Sequence, residues 1–249
     1  MEDKIKEFGQ TNFDLPHDVV KLPSNGIFYK NKKKSIKVGY LTAADENLII
    51  GNSSNFMMHL LRNKIYEYDI KPEDLVESDI EAILIFLRNT SFGPELEMRT
   101  TDPATGNLFN VTIDLSELNI IKGVDPDADG VYNIKLPKSG DLVKVKPLTY
   151  GDVSEINDLV ESYPKNRIAP RVTLRLSKEI IQINDNTNKG DISKYVESMP
   201  ISDSKFIRKY LNENEPRLDL KKNVKTPSGD MTTVNAGFGV DFFRPFFGL

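Results

Sequence analysis

The sequence predicts an α+β protein of two lobes, each built from short helices and a β-hairpin, followed by an aromatic C-terminal tail. Three observations lead there. Alternating apolar runs flank Pro/Gly turns in "DPATG", "PKSGD" and "TPSGD", which is the pattern of hairpins. Between them lie stretches with apolar residues at helical spacing, led by "SDIEAILIFLRNTSFG". A length of 249 residues, with 39% hydrophobic and 28% charged side chains, suits one large or two modest globular domains and is too apolar for wholesale disorder.

The elements follow in chain order. Residues 1–21 are polar and unpatterned and read as an arm. "LPSNGIFY" (22–29) sets a Ser-Asn-Gly turn before an apolar triplet, predicting a turn into a strand. "SIKVGYL" (35–41) alternates and reads as a strand. "TAADENLI" opens a helix, with Thr42 as its cap and Asp45 and Glu46 in its first turn. "SNFMMHLLRNKI" (54–65) is a second helix. The strongest helix starts at Ser78: Ser78 and Glu81 are spaced as a capping box, Ile80, Ile83, Leu84 and Leu87 share a face, and Gly93 follows its end.

A hairpin over 95–115 turns at "DPATG", and a second joins "VYNIKL" to "LVKVKPL". "TYGDVSEINDLVESY" and "RVTLRLSKEIIQI" read as helices on either side of a loop bounded by Pro164 and Pro170. "NDNTNKGD" (184–191) reads as a polar loop, and "SDSKFIRKYLNEN" as a helix. The stretch from Arg217 onward reads as a last hairpin that runs into the tail. The lobes then span 22–122 and 131–237, joined by an acidic connection at 123–130 and followed by the tail at 238–249.

An internal echo accompanies this layout. "KVGYLTAADENLI" from Lys37 and "KVKPLTYGDVSEI" from Lys144 share Lys, Val, Leu, Thr and Asp at constant spacing. "SDIEAILIFLRN" and "SDSKFIRKYLNE" align at another constant offset, which also aligns Pro103 with Pro227. Duplication and coincidence are both open readings of so few identities.

Composition narrows the function. The chain has no cysteine, which excludes disulfides, thiolate catalysis and Cys-ligated metal centres. A net charge of −4 supplies no global field for nucleic acid, and the one dense basic run, "YKNKKKS" (29–35), reads as a solvated loop. The N-terminus lacks an apolar run behind a basic start, and no apolar stretch is long enough for a bilayer, so a cytoplasmic protein is expected. "DPDADG" (125–130) opens like a calcium loop, but Leu136 stands where its bidentate glutamate belongs, so an acidic turn is the better reading. The only histidines, His17 and His59, have no elbow motif or orienting acid, and no phosphate-cradling glycine motif is present. No enzyme, no cofactor and no metal site is expected.

The remaining signal is the end, "FGVDFFRPFFGL" (238–249), where five of the thirteen phenylalanines cluster. Adjacent phenylalanines in an extended segment face opposite ways, and Pro245 and the nearby glycines break a regular pleat. Phe246 and Phe247 are expected to dock on a partner, while Phe242 and Phe243 stand between docking and the protein's own core. With Arg244 and Leu249 they form the candidate partner-binding set, since aromatics and arginine are enriched in interface hot spots.

"LPSNGIFY", "LTAADENLI", "FLRNTSFG", "VTIDLSEL" and "VDFFRPFF", in this order, resemble the baseplate hub proteins of T-even-type contractile-tailed bacteriophages. Within that family the chain looks most like the members that assist hub assembly. The resemblance runs from about Leu22 to the C-terminus and implies a chaperone-like, non-enzymatic role, with hub subunits or the tape-measure protein as partners and the host cytoplasm or the virion baseplate as location. It leaves a structural hub subunit as the alternative and a tail-associated hydrolase as a remote one. Family members often carry Cys-Pro-x-Cys-like knuckles where this chain has "TDPATG" and "KTPSGD". These hairpins keep the turn and lack the ligands, which puts any zinc-dependent role in doubt.

Overall fold

A computed structural model describes residues 16–50, 56–237 and 242. Among them are seven α-helices and five small antiparallel sheets, an α+β architecture. The expected arm ends in a strand: β1 (His17–Lys21) pairs with β2 (Ser35–Gly39), setting buried Val20 opposite Ile36. Residues 22–29, expected to lead into a strand, instead make successive turns. Gly26 there has φ +78°, and a Cβ would lie 2.6 Å from the Lys32 backbone, so only glycine fits the reversal.

Helices α1 (Ala43–Ile50) and α2 (Phe56–Lys64) follow, then a single 3-10 turn at Pro72–Asp74 and α3 (Glu77–Phe92). The expected stripe of α3 is buried at Ile80, Ile83, Leu84 and Leu87, each such side chain contributing about 1.5–3 kcal/mol. Its expected capping box does not form. The helix begins at Glu77 behind Val76, with no side-chain cap, and Ser78 turns its hydroxyl to Glu215 instead. The hairpin β3 (Glu95–Thr101) and β4 (Leu108–Asp114) stacks Leu96 against Ile113, both buried.

β5 (Ile120–Ile121) lies just before the connection, at the end of the first lobe. Gly123 lies so close to Asn214 that a Cβ would collide with its backbone. The second lobe opens with β6 (Tyr132–Lys135) and β7 (Leu142–Val145), then α4 (Tyr150–Glu161) and α5 (Arg171–Glu179). The expected helix over 171–183 ends early: Ile180–Ile183 is β8, paired with β7. The expected loop at 184–191 is shorter, because α6 (Lys189–Ser198) starts behind Asn188, whose side chain accepts from the Gly190 and Asp191 amides. Next come α7 (Ile201–Asn214), β9 (Arg217–Leu218), which pairs with β5, and the hairpin β10 (Lys221–Lys225) and β11 (Met231–Asn235).

Both lobes run a strand pair, two helices and a later helix in that order, the second adding β8 and α6, and the likeness reaches side chains. Thr42 and Thr149 each donate a backbone N–H and a hydroxyl to the aspartate three residues on, Asp45 and Asp152. Asp45 meets Lys64 at 2.5 Å and Asp152 meets Lys178 at 3.5 Å, each lysine coming from the following helix. Val38 bridges to Ile65, as Val145 does to Ile180. The turns "LPSNG" (22–26) and "LPKSG" (136–140) are each held by a fully buried aspartate near the start of a helix. Asp79 accepts from the Ser24 amide (2.9 Å), the Ser24 hydroxyl (2.5 Å) and the Tyr29 hydroxyl (2.6 Å), and Asp203 accepts from the Lys138 (2.8 Å) and Ser139 (2.9 Å) amides.

Two cores result. One gathers Ile36, Val38, Leu60, Leu61, Leu75 and the α3 stripe; the other gathers Tyr132, Ile134, Val143, Val145, Leu176, Ile207 and Leu211. The final hairpin, expected with the second lobe, crosses back: Val234, Ala236 and Phe242 belong to the first core. The turns expected to keep a knuckle shape touch one another. Asp102 accepts from the Ser228 amide (3.1 Å) and hydroxyl (2.9 Å), and Thr226 shares a hydrogen bond with Ser228.

Candidate interaction sites: the lobe cleft and the helical hairpin tip

The lobes meet where Leu75 and Val76 run beside Thr149 and Tyr150: Val76 bridges to Thr149, and the Tyr150 amide donates to the Leu75 carbonyl at 2.7 Å. This junction places the first turn of α3 over α5 and the end of α7. Between them lies a cleft of about 320 Å³ whose charged lining is Glu77 and Glu81 from α3, Arg175 and Glu179 from α5, Arg208 from α7, and Glu215 and Arg217 beyond it. Pro147, Leu148 and Leu211 supply its apolar wall.

Arg175 donates to Glu77 at 3.1 Å and approaches Glu179 at 3.8 Å, tying the lobes together. The Ser78 hydroxyl donates to Glu215 at 3.0 Å. Burial pushes the Glu81 carboxyl up to about 7, with the Glu77 charge adding and Arg217 opposing. Burial likewise pushes Glu215 up to about 7, opposed by the Ser78 hydroxyl and reinforced by Glu77, Asp79 and Glu81. Glu179 is raised by burial against the pull of Arg175. Withdrawing a carboxylate from water disfavours its charged form, so this junction holds protons near neutrality.

Other charged features are structural. Asp127 in the acidic connection accepts from the Asp129 and Val131 amides and from Asn133, a self-contained turn. In the basic run, Lys33 pairs with Glu67 and Asp69, and Lys32 donates to the Ala128 carbonyl. His17 lies 6.0 Å from the Tyr66 ring, edge to face, and His59 is exposed on α2. Among the described residues, no group of three or more His, Asp or Glu side chains could hold a metal ion, and no helix is long and apolar enough to cross a membrane.

Of the expected partner-binding set, Phe242 is described, and it is buried at 2% exposure in the first core. The Arg88 guanidinium carbon lies 5.6 Å from its ring centroid. Phe243, Arg244, Phe246, Phe247 and Leu249 lie outside the described residues.

The sequence model of the T4 bacteriophage base plate proteins matches residues 19–244, most of the chain. The chain belongs to that family. No curated protein and no solved structure matches it.

This base plate protein also exposes an apolar tip. At the far end of the α4–α5 pair, Leu159, Tyr163, Ile168 and Val172 are all exposed, Ile168 almost completely at 95%. α4 buries a single residue, Ile156, and α5 packs on α6 through its later turns, where Leu176 and Glu179 are buried. The loop over 162–170 carries Lys165 and Arg167, Arg171 opens α5, and the exposed acids Asp158 and Glu161 stand at the end of α4. Large apolar side chains left in water among charged ones mark contact surfaces.

Sequence patterns missed the cleft and the tip. The cleft had one readable trace: Glu77 and Glu81 stand one helical turn apart at the start of the strongest helix. The tip had another, since Ile168 falls inside the basic loop bounded by Pro164 and Pro170, where an apolar residue has no core to fill.

Proposed function

We propose that the chain is a non-enzymatic assembly factor of the phage baseplate hub, a chaperone-like protein that binds hub subunits or the tape-measure protein while the hub is built. The observation that carries this reading is the α4–α5 tip, where four apolar side chains stand in water beside three cations. Membership of the base plate family supports baseplate proteins as its neighbours. A tip of so few side chains is far smaller than a permanent interface, which suits a contact that forms and is released. Phe243, Arg244, Phe246, Phe247 and Leu249 form a second contact in this reading. Phe242 is buried in the first core.

Co-expression with candidate hub and tape-measure proteins tests it, comparing the full chain, an Ile168→Asp variant and a chain ending at Phe242. Burying an Ile side chain is worth about 1.5–3 kcal/mol, so Ile168→Asp is expected to lower the captured partner about tenfold or more, with the melting temperature unchanged. Undiminished capture by both altered chains refutes the reading. Stoichiometric recovery of the protein in purified particles makes it a structural subunit instead.

A further inference from the structure

The lobe cleft is lined by four carboxylates, Glu77, Glu81, Glu179 and Glu215, and by three guanidinium groups, Arg175, Arg208 and Arg217. Arg175 is engaged by Glu77 and Glu179. Arg208 donates to the Ser204 carbonyl, and Arg217 to the Asn212 and Glu215 carbonyls. Among the described residues, Glu81 and Glu215 make no ion pair within 4.0 Å, and Oε2 of Glu179, a residue only 5% exposed, is buried with no hydrogen-bond partner. A buried carboxylate oxygen without a donor is strongly disfavoured.

We propose that this cleft is a receptor for one guanidinium group, an arginine side chain presented by a partner protein and held by Glu81, Glu179 and Glu215. The chemistry selects the ligand. These carboxylates are not grouped tightly enough for a metal ion, whereas a planar guanidinium spreads five N–H donors to acceptors that lie apart. The cleft, at about 320 Å³, exceeds the roughly 30 Å³ share of a single water. Its Pro147, Leu148 and Leu211 wall suits the aliphatic stem of an arginine.

The charged groups facing the entering cation are Glu77 and Glu81 from α3, Arg175 and Glu179 from α5, Arg208 from α7, and Glu215 and Arg217 beyond it, with Asp79 behind. Because Glu81 and Glu215 hold protons near neutrality, a cation that needs them charged releases a proton on binding, and its affinity rises with pH. The site stands independently of the hub reading, and its test needs no phage partner.

The test is an NMR titration of the full chain, following the Glu81, Glu179 and Glu215 amides. The probes are a capped arginine (Nα-acetyl-arginine methylamide), spermidine, and sodium chloride at equal ionic strength. The capped arginine is expected to saturate these amides, with an affinity that rises about tenfold between pH 6 and pH 8 as one proton is released. Glu179→Gln is expected to weaken it about tenfold, the effect of losing a charge-assisted contact, and Glu81→Gln, at the half-exposed mouth, to weaken it as well if Glu179→Gln fails to fold. Equal binding by a folded variant, shifts no larger than those from sodium chloride, or spermidine binding as tightly as arginine would overturn the proposal. The last result would make the cleft a polyamine site.

Discussion

Replacing Glu81 or Glu215 with glutamine should raise the stability of the folded protein near pH 8 and leave it unchanged near pH 4. Both carboxyls sit at the lobe junction and are pushed from the ordinary 4.5 up to about 7. The folded protein therefore keeps protons that the unfolded chain has released between those values. The associated stability is present below the unfolded value and is lost as pH rises through the folded one. Fully expressed, the loss is about 3 kcal/mol per group above pH 8. The two groups are coupled, because Glu81 raises Glu215, so they titrate as a set and their effects do not add. Each single variant should gain about 1–3 kcal/mol near pH 8 and the double variant less than the sum. In a protein of this size that is about 2–4 °C of melting temperature per kcal/mol. Glutamine keeps an oxygen for the Ser78 hydroxyl, so the contact to residue 215 survives. Urea unfolding at pH 4, 6 and 8 provides the measurement. Variants that track the parent across the whole range, or that lose stability at pH 8, would refute burial as the cause.

The remaining predictions concern the clamps and the core. Asp79→Ala strands the Ser24 amide and hydroxyl and the Tyr29 hydroxyl and should cost about 3–5 kcal/mol, while Asp203→Ala strands two amides and should cost about 2–3 kcal/mol. Urea unfolding decides, and a larger loss at Asp203 would contradict the hydrogen-bond count. Phe242→Ala should cost about 3–4 kcal/mol as an emptied core site; a loss below about 1 kcal/mol would remove Phe242 from the core.

The legible parts of the fold were those set by local chemistry. Turn residues at "DPATG", "PKSGD" and "TPSGD" mark real hairpins, and the stripe of α3 lies where its period places it. Long-range pairing hid the rest. Ile180 to Ile183 continue the apolar pattern of α5, yet β7 offers an open edge and takes them as a strand. α6 carries only Ile192 and Val196 as buried residues, too few for a periodic signal. Ser78 and Glu81 have the spacing of a cap, but tertiary contact redirects both into the cleft, and local patterns cannot register a partner 137 residues away. The two Leu-Pro-x-x-Gly turns and the Ser-Asp pairs that hold them were visible as letters, but their connection was not. It exists only once each helix start folds back under its turn.

The return of the last hairpin to the first core has a consequence during synthesis. Chains tend to fold domain by domain as they leave the ribosome, but here the earlier-made lobe lacks Val234, Ala236 and Phe242 until translation has passed through the second lobe. Its half-built interior must wait, with apolar surface uncovered, while the second lobe is made and closes on its own residues. A chain ended after Leu211 would carry every residue of the second core and still lack the Val234, Ala236 and Phe242 that complete the first.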